Sequence, residues 1–259
     1  MVRTRATRYT KSGDYPESGQ ICRAMVGHNG EVQFKSAQLE TTDITKIIEE
    51  DKQYGTFEPR NGKFFTYRVM NEDTEITNKQ VLKSVEFSYR RISIRTDLKF
   101  RRAREGEYAD FRVEFRTVET DPDEQLNSNT LMYHYYPINS YTNKFRGLCV
   151  INSAFFWTSH GNPVPLHDID PVNYPYVSNS RGKSYDLDQV YTHEVLHGLG
   201  FPHSKVSGNI MSPSEGQMTE FMTEAEDIPR LHAKYGDRGL SEHKIKRWLK
   251  WLLTASDRK

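Results

Sequence analysis

His193-Glu194-Val195-Leu196-His197-Gly198-Leu199-Gly200-Phe201-Pro202-His203 is the stretch on which the reading of this chain turns. On an α-helix, side chains four residues apart share a face, so His193 and His197 can aim their imidazoles at one point. Gly200 lets the backbone turn sharply, because glycine tolerates positive φ. The turn brings His203 back as a third imidazole. Three neutral imidazoles can hold a zinc ion and leave a fourth tetrahedral position open, the pattern of a catalytic rather than a structural site. Beside such an ion the Glu194 carboxylate can take a proton from metal-bound water. The short form HExxH arises by chance in on the order of one chain in a hundred. The added glycine and third histidine lower that by roughly several hundred-fold. An ordinary amphipathic helix with surface histidines is therefore the weaker reading.

Asn209-Ile210-Met211-Ser212-Pro213 follows closely. Together the two segments resemble the zinc signature and Met-turn of the metzincin metallopeptidases. The short spacing and Ser204 directly after the third histidine are most similar to the matrixin branch. The resemblance extends to strands: Phe65 to Val69, Leu98 to Arg102, Ala109 to Phe115 and Gly147 to Trp157, with a closing helix from Thr223 to Gly236. It spans residues 63 to 236. It implies an α+β fold, a mixed, mainly parallel twisted sheet with a long backing helix, an active-site helix and a Met-turn. It also implies zinc-dependent endopeptidase activity, with His193, His197 and His203 on the metal, Glu194 as general base and Met211 as the apolar floor beneath. In the family an edge strand holds the substrate backbone by strand addition, which places Leu131, Met132, Tyr133, His134 and Tyr135 along the substrate, with Pro213 beyond the Met-turn.

Several positions depart from the family pattern. The histidine expected four residues before Pro137 is Tyr133, and His134 is displaced by one, which reverses its side in a strand. The partner histidine is missing near Cys149 and Val150, and the calcium-loop aspartates are replaced around Asn152-Ser153-Ala154. The expectation is one catalytic zinc, no second structural zinc, and no indication of calcium. Ser212-Pro213 stand where some relatives add a tyrosine ligand, so no fourth protein ligand is expected.

With 259 residues and 36% hydrophobic content, the chain can bury a core without disulfides. A net charge of +1 gives no reason to expect nucleic acid or a membrane surface as partner. No apolar run has the length of a membrane span. Met1 to Lys11 is basic with no apolar segment behind it, unlike a secretory signal, which points to a cytoplasmic or particle-associated chain unless another route exports it. Of the two cysteines, Cys22 lacks the family's latency motif around it; a buried strand cysteine is the stronger reading, and a latency ligand on the zinc, as the resemblance implies for a propeptide cysteine, the weaker.

Three regions are expected: 1–62, an extension that is propeptide-like, a docking unit or an added edge to the sheet; 63–236, the catalytic domain; and 237–259, a basic amphipathic helix carrying Ile245, Trp248, Leu249 and Leu252. In the first, Ile21 to Val26 and Glu31 to Lys35 suit a hairpin over Asn29-Gly30, and Thr42-Asp43 caps a helix bearing Ile44, Ile47 and Ile48. In the second, Thr77 to Ile92 reads as a helix with Val81, Leu82, Val85, Tyr89 and Ile92 inward. Phe111, Val113 and Phe115 alternate with Arg112 and Glu114 as in a half-buried strand. Thr130 to Tyr136 reads as an edge strand, and Asp186 or Ser184 as the cap of the helix running to about Leu199. The Ser159 to Tyr185 loop is rich in proline, asparagine and glycine; its His160, His167, Asp168 and Asp170 have no diagnostic ligand spacing. Arg90, Arg91, Arg95, Lys99, Arg101, Arg102 and Arg104 read as a solvated surface.

The function expected is zinc-dependent hydrolysis of peptide bonds in a protein or peptide substrate. The rival is a metzincin-fold structural or docking component of a larger assembly, such as a virus particle, held through residues 1–62 or 237–259.

Overall fold

A computed structural model describes residues 21–26, 32–35, 43–60, 62, 64–71, 78–123, 125–137, 146–158, 185–206, 208–213, 222 and 225–236. The Ser159–Ser184 loop and the C-terminal helix expected from 241 to 253 lie outside them.

The frame is a seven-stranded mixed sheet. Its strands are β1 (Ile21–Val26), β2 (Val32–Lys35), β3 (Phe65–Val69), β4 (Phe100–Arg102), β5 (Phe111–Arg116), β6 (Thr130–Tyr135) and β7 (Leu148–Asn152), in the order β2-β1-β6-β7-β5-β3-β4. β4, β3, β5 and β7 are mutually parallel, and β6 runs antiparallel to β7. The expected mainly parallel α+β architecture is present. β5 shows the expected alternation: Phe111, Val113 and Phe115 are buried while Arg112, Glu114 and Arg116 are half-buried. Two short strands, β8 (Trp157–Thr158) and β9 (Tyr185–Asp186), pair in parallel and hold together the two ends of the long loop.

One strand is placed differently from the sequence reading. β6 is not at the edge of the sheet, because β1 lies antiparallel along its outer side, from Ile21↔Tyr135 to Met25↔Thr130. The hairpin between β1 and β2 was legible from its turn residues, but which strand it would join was not. Pairing partners distant in sequence leave no local signal.

Helix α1 (Ile44–Asp51) is capped by Asp43, whose side chain accepts from the Thr45 backbone N–H at 2.9 Å. Helix α2 (Asn78–Arg95) backs the sheet, and α3 (Leu187–Gly198) crosses between α2 and β6. Val81, Val85, Tyr89 and Ile92 of α2 are buried as expected, whereas Leu82 is half-buried and Ser84 and Ser88 are fully buried instead. The small serines lie at i, i+4 on the face toward α3, where Ser88 Oγ meets Thr192 Oγ1 at 2.7 Å and Tyr89 Oη meets Tyr191 Oη at 2.7 Å. Burial raises both phenols well above their usual pKa, so this pair stays neutral. Phe57, Phe65, Phe100, Phe111 and Tyr89 pack ring on ring beneath the sheet, with Tyr89 and Phe100 stacked 4.5 Å apart.

Candidate metal centre

Asp186 begins α3 by accepting from the backbone N–H groups of Asp188 and Gln189, two of the helix's orphan donors. From that start the helix delivers His193, Glu194 and His197, each fully buried. After Gly198 the chain turns at Gly200, whose φ is 91°. A side chain there would be strained, and its Cβ would stand 2.3 Å from the Gly55 carbonyl oxygen. The turn is buttressed by Lys234, whose ammonium donates to the carbonyls of Asp51, Gly55 and Gly200 at 2.6–2.9 Å.

The three histidines then meet. Their Nε2 atoms lie 2.9 Å (193 to 197) and 3.1 Å (203 to each) apart. A tetrahedral zinc with Zn–N near 2.0–2.1 Å places its nitrogens about 3.3 Å apart, so the cage matches to within a few tenths of an ångström. Hydrogen bonds behind two rings set their tautomers. His193 Nδ1 donates to the Ile210 carbonyl at 2.7 Å, and His197 Nδ1 donates to the Phe201 carbonyl at 2.6 Å. A carbonyl can only accept, so each Nδ1 carries the proton and each Nε2 presents a lone pair to the centre. Burial, then the neighbouring histidines, pushes His193 and His197 well below their ordinary pKa; burial and Arg230 bring His203 down to about 3. The rings are therefore neutral, as metal binding needs. Among the described residues this is the one group of three or more His, Cys, Asp or Glu whose ligand atoms converge closely enough for a metal ion.

Asn209 to Ser212 close a tight turn, with the Ser212 N–H on the Asn209 carbonyl, and its Ile210 carbonyl backs the His193 ring. Met211 on this turn is buried in the main core. A buried network fixes the turn and His203. Glu226 accepts from Ser204 Oγ and Asn209 Nδ2 at 2.9 and 2.7 Å, and from Arg230 at 3.1 Å. Arg230, on α4 (Asp227–Tyr235), also binds Asp51 of α1 through two nitrogens at 2.8 and 2.9 Å. The sequence reading named neither Glu226 nor Arg230. It missed Tyr136 as well, whose hydroxyl lies 2.9 Å from His197 Nδ1. Only an Arg and a carboxylate four residues apart on one helix hinted at the first pair; nothing local marked Tyr136.

Of the residues expected along the substrate, Leu131 and Met132 lie in the core shared with α3, and the His134 ring is buried where it closes on Gly198. Tyr133 and Tyr135 face the other side of the sheet with Leu126, Leu148 and Val150. Pro213 is half-buried just after the Asn209–Ser212 turn. Tyr133, at the position where the resemblance implies a second zinc ligand, donates to Asp121 at 2.8 Å, and Asp121 also binds Arg116 at 2.9 Å.

The arrangement as a whole is a cage of three neutral imidazole lone pairs, built at a helix end and buttressed from two further helices. Its chemistry is that of a divalent zinc-like ion with nitrogen ligands. Comparison with known families gives the same result, since the matrixin family model matches residues 59–236, more than half of the chain. The chain belongs to the matrixin family of metallopeptidases.

Proposed function

We propose that this protein is a zinc-dependent endopeptidase that uses His193, His197 and His203 as metal ligands and Glu194 as general base. The observation that supports this most directly is the convergence of three Nε2 lone pairs with their tautomers held from behind. A bound zinc supplies a water of lowered pKa, near 7, and polarises a carbonyl oxygen. Glu194, adjacent to His193 and fully buried, takes the proton of the attacking water and returns it to the leaving amine. Ile210 and Phe201, through their carbonyls, keep two ligand rings in the metal-binding tautomer during turnover. Met211 and the Glu226 network hold the Met-turn and His203 in place. Substrate is a peptide or protein segment in extended form.

The test is zinc content together with cleavage of a mixed peptide library, comparing the chain with Glu194→Ala. Near one zinc per chain in both, and a loss of about 10²–10⁴-fold in cleavage in the variant, is the expected outcome. Normal cleavage by the variant sinks the general-base role. A well-folded chain that takes up no zinc overturns the whole reading and leaves a structural role for the fold.

A further inference from the structure

Tyr136 stands where a strand ends and a proline begins. β6 fixes the backbone through Tyr135, and Pro137 biases the residue before it toward extended geometry, so Tyr136 has little freedom of direction. Its side chain is fully buried. Its ring meets Tyr54 with centroids 5.0 Å apart, and meets the His197 ring edge-on at 5.2 Å with 74° between the planes. The hydroxyl ends 2.9 Å from His197 Nδ1.

That nitrogen is already engaged. Its proton goes to the Phe201 carbonyl at 2.6 Å, and one N–H shared between two oxygens is a three-centre bond. The phenol oxygen is thus a second acceptor behind His197. Two acceptors and a ring edge resist rotation of the imidazole about its Cβ–Cγ bond. Such a rotation would carry the Nε2 lone pair away from the point where it meets those of His193 and His203. Accepting from Nδ1–H also makes Nε2 a more basic metal ligand.

We infer that Tyr136 is a positioning residue for the metal, its hydroxyl holding the His197 ring in line and so setting how firmly this chain keeps its zinc. The identity of the ion rests on the zinc peptidase reading. Tyr136 lies 61 positions from the ring it holds, so the support of the cage extends from the metal helix onto the end of the sheet.

The test strips the full chain of metal and titrates it with zinc against a chromophoric chelator, beside Tyr136→Phe, which deletes the hydroxyl and keeps the ring. The zinc Kd should rise about 10-fold in the variant, the low end of the effect of outer partners, because the Phe201 carbonyl remains. The urea midpoint of the metal-stripped chain should not move. In the zinc-loaded forms the NMR signal of the His197 Nδ1 proton should shift, while that of His193, backed by the Ile210 carbonyl, holds its place. Tyr136→Leu, which removes the ring as well, should weaken zinc at least as much, and full affinity in that variant overturns the proposal. A weaker Kd that comes with a lower urea midpoint and an unmoved His197 signal makes Tyr136 a packing residue and also overturns it. Equal Kd in the chain and Tyr136→Phe overturns it while sparing the zinc reading. If the well-folded chain and its variants all take up no zinc, both readings fall together.

Discussion

Two polar clusters flank β6, one on each face, and they gather charge in opposite ways. Toward α3, His193, His197 and His203 bring three neutral lone pairs to a point, and a cation from solution would complete the set. Toward the other face, the cation is part of the chain. Arg116 binds Glu114, Asp121 and Asp123 at 2.6, 2.9 and 3.0 Å. Asp121 is further saturated by the Tyr133 hydroxyl and the backbone N–H groups of Gln125 and Leu126. Tyr133 stands where the family resemblance implies a zinc ligand. Burial foremost raises its pKa, so it serves as a neutral donor to the carboxylate. Donor type decides the outcome: neutral bases gather around a recruited ion, carboxylates around a guanidinium that cannot leave.

The largest effect should come from removing the built-in cation. Arg116→Ala leaves Asp121 and Asp123 buried side by side, and breaking a buried ion cluster on one side costs about 3–5 kcal/mol. Urea unfolding should show that loss, and added zinc should not restore it. On the α3 face the reverse holds. Stripping zinc with a chelator should lower stability by about 4 kcal/mol relative to zinc at 1,000 times its Kd, and adding zinc back should restore it in full. Zinc rescue of Arg116→Ala would erase the distinction between the two clusters.

Acid should separate the two faces of β6 more gently. Burial lowers His134 to about 4 from its usual 6.5. Folded His134 therefore binds fewer protons than the unfolded chain between those values, and stability rises with pH across that window. Its contribution is present above about pH 6.5 and disappears as pH falls toward 4, amounting to about 3 kcal/mol at most. Thermal midpoints of the metal-stripped chain should fall across this range, and His134→Gln should flatten the slope. An unchanged slope in the variant would assign the acid sensitivity to the cage histidines instead.

How much of this was legible depended on whether a feature was local. The cage histidines lie within eleven residues, so helix periodicity and one glycine placed them. The alternation in β5 and the caps at Asp43 and Asp186 are equally local. Leu82 was misjudged because hydrophobic periodicity cannot see that Ser84 and Ser88 are small enough to let α3 approach. Arg116 with Asp121 and Asp123 was missed because the strand pattern reads Arg116 as an outward charge, while the loop that encloses it comes after the strand. β1 on β6 joins segments more than a hundred residues apart, and no composition or turn signal reports such a partner.

The smallest expected effect probes how tightly β6 is locked to the metal helix. Gly198 is the last residue of α3, and a Cβ there would stand 2.1 Å from His134 Cε1 and 2.5 Å from its Nε2. The ring cannot simply swing away, because its Nδ1 donates to the Tyr135 carbonyl at 2.9 Å and the residue is fully buried. Gly198→Ala must therefore push α3 and β6 apart, a kind of overpacking that costs about 1–3 kcal/mol. Because His197 precedes Gly198 and touches Tyr136, the same shift should weaken zinc binding along with stability. Paired with His134→Ala, which opens the space, the Gly198→Ala change should lose most of its effect. If the two losses simply add, the contact between ring and helix is not what sets the spacing. The coupling of β6 to the cage would then have to run through Tyr136 and His197 alone.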